Sequence, residues 1–249
     1  MNTVLLAYPD NPVSSTFIRT FDERGIKLRA VIVETKSAGK NWKRLKRKVK
    51  KDGLVTALRR FVQISFLRST GRNAVQLAGK KAIEVYRVEK FNSRRCAGLI
   101  RDLDTDLLAI ASAPILKEYV FTPAKRGCLN AHPGWLPKYR GIGANAYALL
   151  NVDLPGITIH FIDAGIDTGR IILREKIAIQ PGDTVARIND RAVTRGAELM
   201  ADVIRQIEDD ALKLPKISET HGKCYRAMPY KEVKIVNKKL KSVEESHVI

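Results

Sequence analysis

The chain has 249 residues, of which 45 are Lys or Arg and 26 are Asp or Glu, so its formal charge is +19. A hydrophobic fraction of 45% excludes a disordered chain, and the length suits one large domain or one domain with an appendage. Three scattered cysteines are too few for a disulfide framework or a zinc site, which favours a reducing compartment such as the cytoplasm. The positive charge attracts polyanions, namely nucleic acid, phosphorylated small molecules or an acidic membrane face, without choosing among them.

The N-terminal residues read as a strand that enters a turn. They lack a basic leader and meet Asp10 and Pro12 early, so we expect no signal peptide. No stretch approaches the roughly 18 apolar residues of a membrane span.

The first hundred or so residues alternate between strand and helix patterns. Strands are predicted at residues 3–7, 28–33, 82–88 and 107–112, and helices over residues 17–24 and around Leu99 and Ile100. This alternation is typical of βαβ units and predicts a parallel sheet, whose ligands bind at the carboxyl ends of the strands. The glycine-rich dinucleotide fingerprint and the phosphate-loop motif are both absent, which argues against a dinucleotide dehydrogenase and a nucleotide triphosphatase.

Residues 36–60 are strongly basic, with Asp52 as the opposing charge. Apolar residues recur among the Lys and Arg residues at near-helical spacing, and Gly53 interrupts or splits the helix that this spacing predicts. Two interpretations stay open. The segment is either a surface helix with its apolar stripe on the sheet, or a basic amphipathic helix that contacts anionic lipid or nucleic acid.

A long helix is predicted over residues 184–208, with Thr184 as its N-terminal cap. After Pro215 the composition becomes basic and polar. We therefore predict a main domain over residues 1–210 and a basic C-terminal extension over residues 211–249, which is too short for a core of its own.

The stretch from residue 128 to residue 184 carries the candidate chemistry. Asn130 and His132 lie two apart at the end of a predicted strand, so their side chains point the same way. Residues 157–162 alternate like a strand, residues 163–169 form an acidic glycine-bearing loop, and residues 170–177 form a returning strand.

An amide, an imidazole and a carboxylate together suit acyl transfer to an amine. Asn130 can donate a hydrogen bond to an oxyanion, and His132 can move a proton near neutral pH. Asp167 can orient the imidazole, hold it charged, or help to deprotonate an incoming ammonium. Each residue alone is more often a turn or structural residue, and the combination is what favours catalysis. Cys128 is interpreted as a buried inert thiol, although strand alternation turns it the same way as Asn130.

The sequence N-A-H-P-G-W-L-P-K-Y-R-G, followed by G-I-T-I-H-F-I-D-A-G-I-D-T-G-R-I-I, closely resembles the formyltransferase family that uses 10-formyltetrahydrofolate. That family includes glycinamide ribonucleotide transformylase, methionyl-tRNA formyltransferase and the sugar-nucleotide N-formyltransferases. The resemblance is strong over residues 104–184 and weaker before them. It implies an α/β, Rossmann-like formyltransferase fold over residues 1–210, with a mostly parallel sheet, flanking helices and a short C-terminal tail.

The resemblance also implies the roles of individual residues. The implied catalytic residues are Asn130, His132 and Asp167. The implied co-substrate is 10-formyltetrahydrofolate, with no metal, in a cleft whose cofactor-binding residues are Ala111, Ser112, Ala113, Ile115, Leu116, Asp163, Ala164, Gly165 and Ile166. The implied residues for the acceptor substrate are Tyr139, Arg140 and Gly141.

Two further positions compare with the family pattern. His160 matches a histidine often seen on that strand, and structural and functional roles both stay open. Gly134 stands where the family usually has Ser, and we expect it to loosen the turn without removing catalysis, since glycine supports unusual backbone angles.

The acceptor amine is expected to belong to an amino-sugar nucleotide or a similar small phosphorylated molecule. Prolines in residues 8–12 remove backbone donors that a ribose phosphate would use, which disfavours the purine branch. The about 40 residues after the last long helix are too few for the barrel domain expected of the tRNA branch. An aminoacyl-tRNA or glycinamide ribonucleotide acceptor stays as the alternative. Whether the protein forms a homodimer also stays open. The non-enzymatic alternative is a catalytically silent relative that binds RNA or a membrane through residues 36–60 and the tail.

Overall fold

The structure is a computed structural model that describes residues 1–35, 62, 65–66, 70, 72–217 and 222–245. The basic segment over residues 36–60 lies outside the described residues, so both of its interpretations remain predictions. The chain divides into two compact units, residues 1–128 and residues 129–249. The predicted boundary after residue 210 also stays a prediction.

The first unit alternates strands and helices. Its elements in chain order are β1 (Thr3–Ala7), α1 (Pro12–Glu23), β2 (Leu28–Glu34), α2 (Ala74–Lys80), β3 (Glu84–Val88), α3 (Arg94–Asp102), β4 (Leu107–Ile110) and α4 (Glu118–Phe121). Strand β1 pairs in parallel with both β2 and β4, and β3 pairs in parallel with β2. The strands predicted from the sequence are therefore confirmed.

The core of this unit follows from the apolar runs of its strands. Every residue of β1 and β4 is buried, as expected for strands covered on both faces. Helix α1 begins earlier than its predicted start at residue 17. The Asn11 side chain accepts a hydrogen bond from the Val13 N–H at 3.1 Å, and Pro12 suits the first helical position.

The second unit begins within strand β5 (Cys128–His132). Its other elements are β6 (Tyr139–Gly141), α5 (Ala144–Leu150), β7 (Gly156–Phe161), β8 (Ile171–Lys176), α6 (Val185–Glu208), β9 (Lys223–Tyr225) and α7 (Tyr230–Glu245). Strand β7 pairs antiparallel with β5 and β8, whereas β6 and β9 form a small parallel sheet of their own. Within the first unit the strand order is β3, β2, β1, β4, and within the second unit it is β5, β7, β8. The predicted α/β fold is confirmed. Strand β5 continues through His132, so Asn130 and His132 both belong to it.

Helix α6 packs closely on the strands that carry the candidate site. Its predicted cap is confirmed, because the Thr184 side chain accepts a hydrogen bond from the Arg187 N–H at 3.3 Å. A Cβ at Gly196 would lie 2.9 Å from Ile157 and 3.2 Å from Ala131, so glycine permits this approach. Among the described helices, none combines the length and apolar character needed to cross a membrane.

The turn after β5 is held by one buried hydroxyl. Thr158 on β7 is fully buried and donates a hydrogen bond to the Gly134 carbonyl at 2.7 Å. The same hydroxyl accepts a hydrogen bond from the Leu136 N–H at 3.1 Å. The backbone that follows His132 is thereby tied to the neighbouring strand.

We predict that Thr158→Val lowers the free energy of unfolding by about 2–4 kcal/mol, because two buried backbone groups lose their partner. The matched variant Thr158→Ser keeps the hydroxyl and should cost only about 1 kcal/mol for the lost methyl group. Denaturant unfolding of both variants measures the difference. Equal losses would contradict the role of the hydroxyl.

Candidate active site

The antiparallel register of β5 and β7 gathers the polar residues of the site on one face of the sheet. Asn130 lies opposite His160, and His132 lies opposite Thr158. Residues two apart on a strand share a face, as do residues directly opposite each other on paired strands. The three residues Asn130, His132 and His160 are thus brought together by two strands that are thirty residues apart in the sequence.

His132 lies between two hydrogen-bond acceptors. Its Nε2 is 2.8 Å from the Tyr139 carbonyl oxygen, and its Nδ1 is 3.4 Å from Oδ2 of Asp167. The side chain is only 5% exposed, so solvent competes little for either nitrogen. An imidazolium, which carries a hydrogen on each nitrogen, satisfies both acceptors.

Asp167 is the carboxylate of the cluster. Its Oδ2 accepts a hydrogen bond from the Gly141 N–H at 2.7 Å, and its Oδ1 lies 3.7 Å from Nε2 of His160. The backbone of Asp167 is in the left-handed region, with φ of 51°. Asp adopts this region more readily than most residues do, and such backbone angles cluster at functional sites.

His160 holds the Asn130 amide in one orientation. Nδ1 of His160 donates to the Phe161 carbonyl oxygen at 2.7 Å, so Nε2 of the neutral ring is an acceptor. The Asn130 amide donates to that Nε2 at 3.2 Å. Burial, reinforced by the charge of His132, lowers the pKa of His160 from 6.5 to about 4 and keeps the ring neutral near pH 7. The open question about His160 therefore receives a structural answer: its ring fixes the amide.

The loop over residues 163–169 returns the chain to the cluster through a compact turn. Oδ1 of Asp163 accepts hydrogen bonds from the Gly165 N–H at 3.0 Å and from the Thr168 hydroxyl at 2.6 Å. A Cβ at Gly169 would lie 1.9 Å from the Phe161 carbonyl oxygen, so only glycine fits there. Asp163, Ala164, Gly165 and Ile166 are exposed residues, and their folate-binding role stays a prediction.

The other predicted folate segment lies in the first unit, after β4. The Ser112 hydroxyl accepts a hydrogen bond from the Asn11 amide at 2.8 Å, and the Ile115 carbonyl accepts one from Asn92 at 2.9 Å. These bonds fix the segment, and the Ile115 side chain is 65% exposed. The folate-binding role of Ala111, Ser112, Ala113, Ile115 and Leu116 stays a prediction.

The residues predicted to bind the acceptor have partners within the second unit. Tyr139 is almost fully buried, and its hydroxyl donates to Asp153 at 3.2 Å. The Arg140 guanidinium donates to the Gly222 carbonyl oxygen at 2.9 Å, and the Gly141 N–H is bound to Asp167. Acceptor binding by these residues stays a prediction, and their position beside His132 and Asp167 was not foreseen.

Position 134 requires glycine because of steric crowding and not because of an unusual backbone angle, which corrects the expectation from the sequence. Its φ is outside the left-handed region, but a Cβ there would lie 2.5 Å from that of Ala144 and 2.6 Å from Nε2 of His132. Glycine therefore allows the turn to pass against the imidazole.

Cys128 is buried, and burial raises the pKa of its thiol, as suits an inert cysteine.

A metal centre finds no support in the part of the chain that the structure describes, where no group of three or more His, Cys, Asp or Glu side chains could hold an ion. The chemistry of the cluster is that of an amide donor, an imidazole and a carboxylate. Together they can stabilise an oxyanion and accept a proton.

Comparison with known proteins finds methionyl-tRNA formyltransferases by sequence and several kinds of formyltransferase by fold. Methionyl-tRNA formyltransferase from Acetivibrio thermocellus is 34% identical over 165 residues, which cover 65% of this chain and 52% of that protein. The chain spans about half the length of such relatives.

Two solved structures share the fold. Glycinamide ribonucleotide transformylase 1 from Symbiobacterium toebii aligns with a TM-score of 0.61 at 21% identity, over 86% of this chain and 91% of that one. WlaRD, a sugar 3N-formyl transferase whose structure was determined in the presence of dTDP and 5-N-formyl-THF, aligns with a TM-score of 0.57 at 17% identity, over 99% of this chain and 81% of that one.

A family model described as formyl transferase matches residues 13–204. The match covers more than half of the chain and includes β5, β7 and the loop over residues 163–169. With Asn130, His132 and Asp167 inside the matched region, the chain belongs to the formyl transferase family.

Proposed function

We propose that this protein transfers the formyl group of 10-formyltetrahydrofolate to a primary amine. The observation that carries the proposal is the cluster in which His132 lies 3.4 Å from Asp167 while Asn130 is oriented by His160. Membership of the formyl transferase family supports the same chemistry. The cluster needs no nucleophilic side chain, because the amine attacks the formyl carbon directly.

The proposed reaction forms one carbon–nitrogen bond and breaks another. The neutral amine attacks the formyl carbon carried on N10 of the folate, and negative charge develops on the formyl oxygen. The second N–H of the Asn130 amide donates to this oxygen, and the positive charge of His132 stabilises it. Asp167 keeps His132 charged and accepts the amine proton through a water. The bond to N10 then breaks, N10 takes a proton, and tetrahydrofolate leaves.

The folate is proposed to bind through backbone groups of the two segments identified from the sequence. Support comes from the exposure of residues 163–166 and from the apolar side chains that follow β4, which suit a flat heteroaromatic ring. WlaRD, which shares this fold, was studied with 5-N-formyl-THF.

The first candidate acceptor is the amino group of methionyl-tRNA, because the sequence relatives carry that activity in their names. This reverses the order expected from the sequence, which ranked an amino-sugar nucleotide first. A formal charge of +19 suits a polyanionic acceptor. The amino-sugar nucleotide remains the second candidate, supported by the alignment of WlaRD, studied with dTDP, over 99% of this chain.

The experiment that tests the proposal measures tetrahydrofolate release from 10-formyltetrahydrofolate by the purified protein. Reactions contain methionyl-tRNA, an amino-sugar nucleotide, glycinamide ribonucleotide or no acceptor. Release that depends on one acceptor supports the proposal and identifies the branch. No release with any amine would overturn it and favour the catalytically silent RNA- or membrane-binding relative.

We predict that Asn130→Ala and His132→Ala each lower kcat at least about 100-fold, because each removes an interaction with the oxyanion. Asp167→Asn keeps the shape of the side chain but removes its charge, and it should also lose most activity. The matched control is Asp209→Asn, which makes the same chemical change at an exposed position. Steady-state kinetics on the folded variants gives the result, and near-normal turnover in Asn130→Ala or His132→Ala would refute that residue's role.

His160 should also make stability depend on pH. Between about pH 6.5 and 4 the unfolded chain binds a proton that the folded protein excludes from this ring, so the free energy of unfolding falls as the pH falls through that window. Between about pH 7 and pH 4.5, the wild type should lose about 2–3 kcal/mol more than His160→Gln does. Denaturant unfolding at both pH values measures this difference. Parallel losses in the two proteins would show that His160 titrates normally.

A further inference from the structure

Strand β6 supplies backbone groups to the catalytic cluster from one of its edges. The carbonyl of Tyr139 faces Nε2 of His132 at 2.8 Å, and the N–H of Gly141 donates to Asp167 at 2.7 Å. Residues two apart on a strand direct their backbone groups to the same edge. The positions of both His132 and Asp167 therefore depend on where the β6 backbone lies.

The opposite edge of β6 is occupied by β9, from the C-terminal extension. The Lys138 carbonyl accepts a hydrogen bond from the Lys223 N–H at 3.2 Å, and the Ile142 N–H donates to the Tyr225 carbonyl at 3.0 Å. Between these bonds, the Arg140 side chain reaches back to the carbonyl of Gly222. The three-residue strand β6 is thus held between His132 and Asp167 on one edge and the C-terminal extension on the other.

Two glycines make this pairing unusually close. A Cβ at Gly141, whose φ is 85°, would lie 2.2 Å from the Tyr225 carbonyl oxygen. A Cβ at Gly222 would lie 1.5 Å from the Pro137 carbonyl oxygen and 2.9 Å from Cα of Lys138. Any side chain at either position forces the two strands apart or displaces β6.

Aromatic stacking fixes the same contact through side chains. The Tyr225 ring stacks on Tyr147 at 4.2 Å and on Tyr139 at 5.9 Å between ring centroids. Tyr139 and Tyr147 belong to β6 and α5, and both pack in a small core with Ala144 and Ala148. The extension therefore contributes to the core that lies beneath β6.

We infer that residues 222–225 of the C-terminal extension act as a positioning element for His132 and Asp167, through the backbone of β6. The inference rests on the proposed function, and it adds a role for the extension in catalysis. These residues touch neither the reacting atoms nor the catalytic side chains. They hold the Tyr139 carbonyl and the Gly141 N–H, which contact His132 and Asp167. Displacement of β6 therefore moves the imidazole and the carboxylate away from their working positions.

Gly222→Ala tests this inference, with Gly98→Ala as the matched control. The added methyl group at residue 222 must displace β6 or β9, whereas a Cβ at Gly98 meets no atom within 4 Å. We expect Gly222→Ala to lower kcat about 10- to 100-fold, because the catalytic groups are misplaced. KM for 10-formyltetrahydrofolate should stay within about twofold, because the residues predicted to bind the folate lie outside β6. Gly98→Ala should retain normal kinetics.

The amide resonance of Gly141 gives a readout that needs no activity. In Gly222→Ala its proton should shift and exchange faster with solvent, since its bond to Asp167 is weakened, and in Gly98→Ala it should not change. Normal kcat in Gly222→Ala, or an unaltered Gly141 resonance, would overturn the inference. If the wild type transfers no formyl group to any acceptor, the proposed function fails, and the Gly141 resonance alone decides whether the extension positions the pair.

Tyr225 supplies a second test if Gly222→Ala does not fold. Tyr225→Ala removes the stack on Tyr139 and Tyr147 but keeps the backbone of β9. It should lower kcat and shift the Gly141 resonance in the same direction, whereas Tyr225→Phe should restore both. Equal effects of Ala and Phe, or no effect of Ala, would contradict a positioning role.

Discussion

The hydrogen bond from the Gly141 N–H to Asp167 is the contact on which the cluster depends. Asp167 is only 16% exposed, so hydrogen-bond donors must replace the water that burial removes, and the 2.7 Å bond is the shortest contact described for it. The same carboxylate faces the two imidazoles of His132 and His160, so its position sets the electrostatics of both. Gly141 has a φ of 85°, a region that glycine adopts at little cost.

The two neighbouring histidines, His132 and His160, differ in the hydrogen-bond partners of their ring nitrogens. His160 donates to its own strand at Phe161 and presents an acceptor to Asn130, and its lowered pKa keeps it neutral. His132 meets a carbonyl and a carboxylate, and both accept hydrogen bonds. The ring centroids are 6.4 Å apart, so a second positive charge beside the first would be repelled. His160 therefore orients the Asn130 amide, whereas His132 faces the carboxylate of Asp167, and the surroundings of each ring set this difference.

Features that repeat or alternate along the chain can be predicted from the sequence. Contacts between short segments that are far apart in the sequence cannot. Apolar alternation predicted the main strands, the cap at Thr184 followed from its residue type, and the two-residue spacing placed Asn130 beside His132. Strands β6 and β9 have three residues each, too few for any periodicity, and Arg140 lies 82 residues from its partner Gly222. The need for glycine at position 134 arises from the ring of His132, which no local pattern contains.

In the proposed reaction, the cluster acts on the part that every candidate acceptor shares. Negative charge develops on the formyl oxygen whether the amine belongs to an aminoacyl-tRNA or to a sugar nucleotide, so the roles proposed for Asn130, His132 and Asp167 are the same in each case. Their contacts are all made by β5, β6, β7 and the loop over residues 163–169. Discrimination between acceptors must then come from residues that contact the rest of the acceptor, and that separation allows one catalytic cluster to serve relatives with different acceptors.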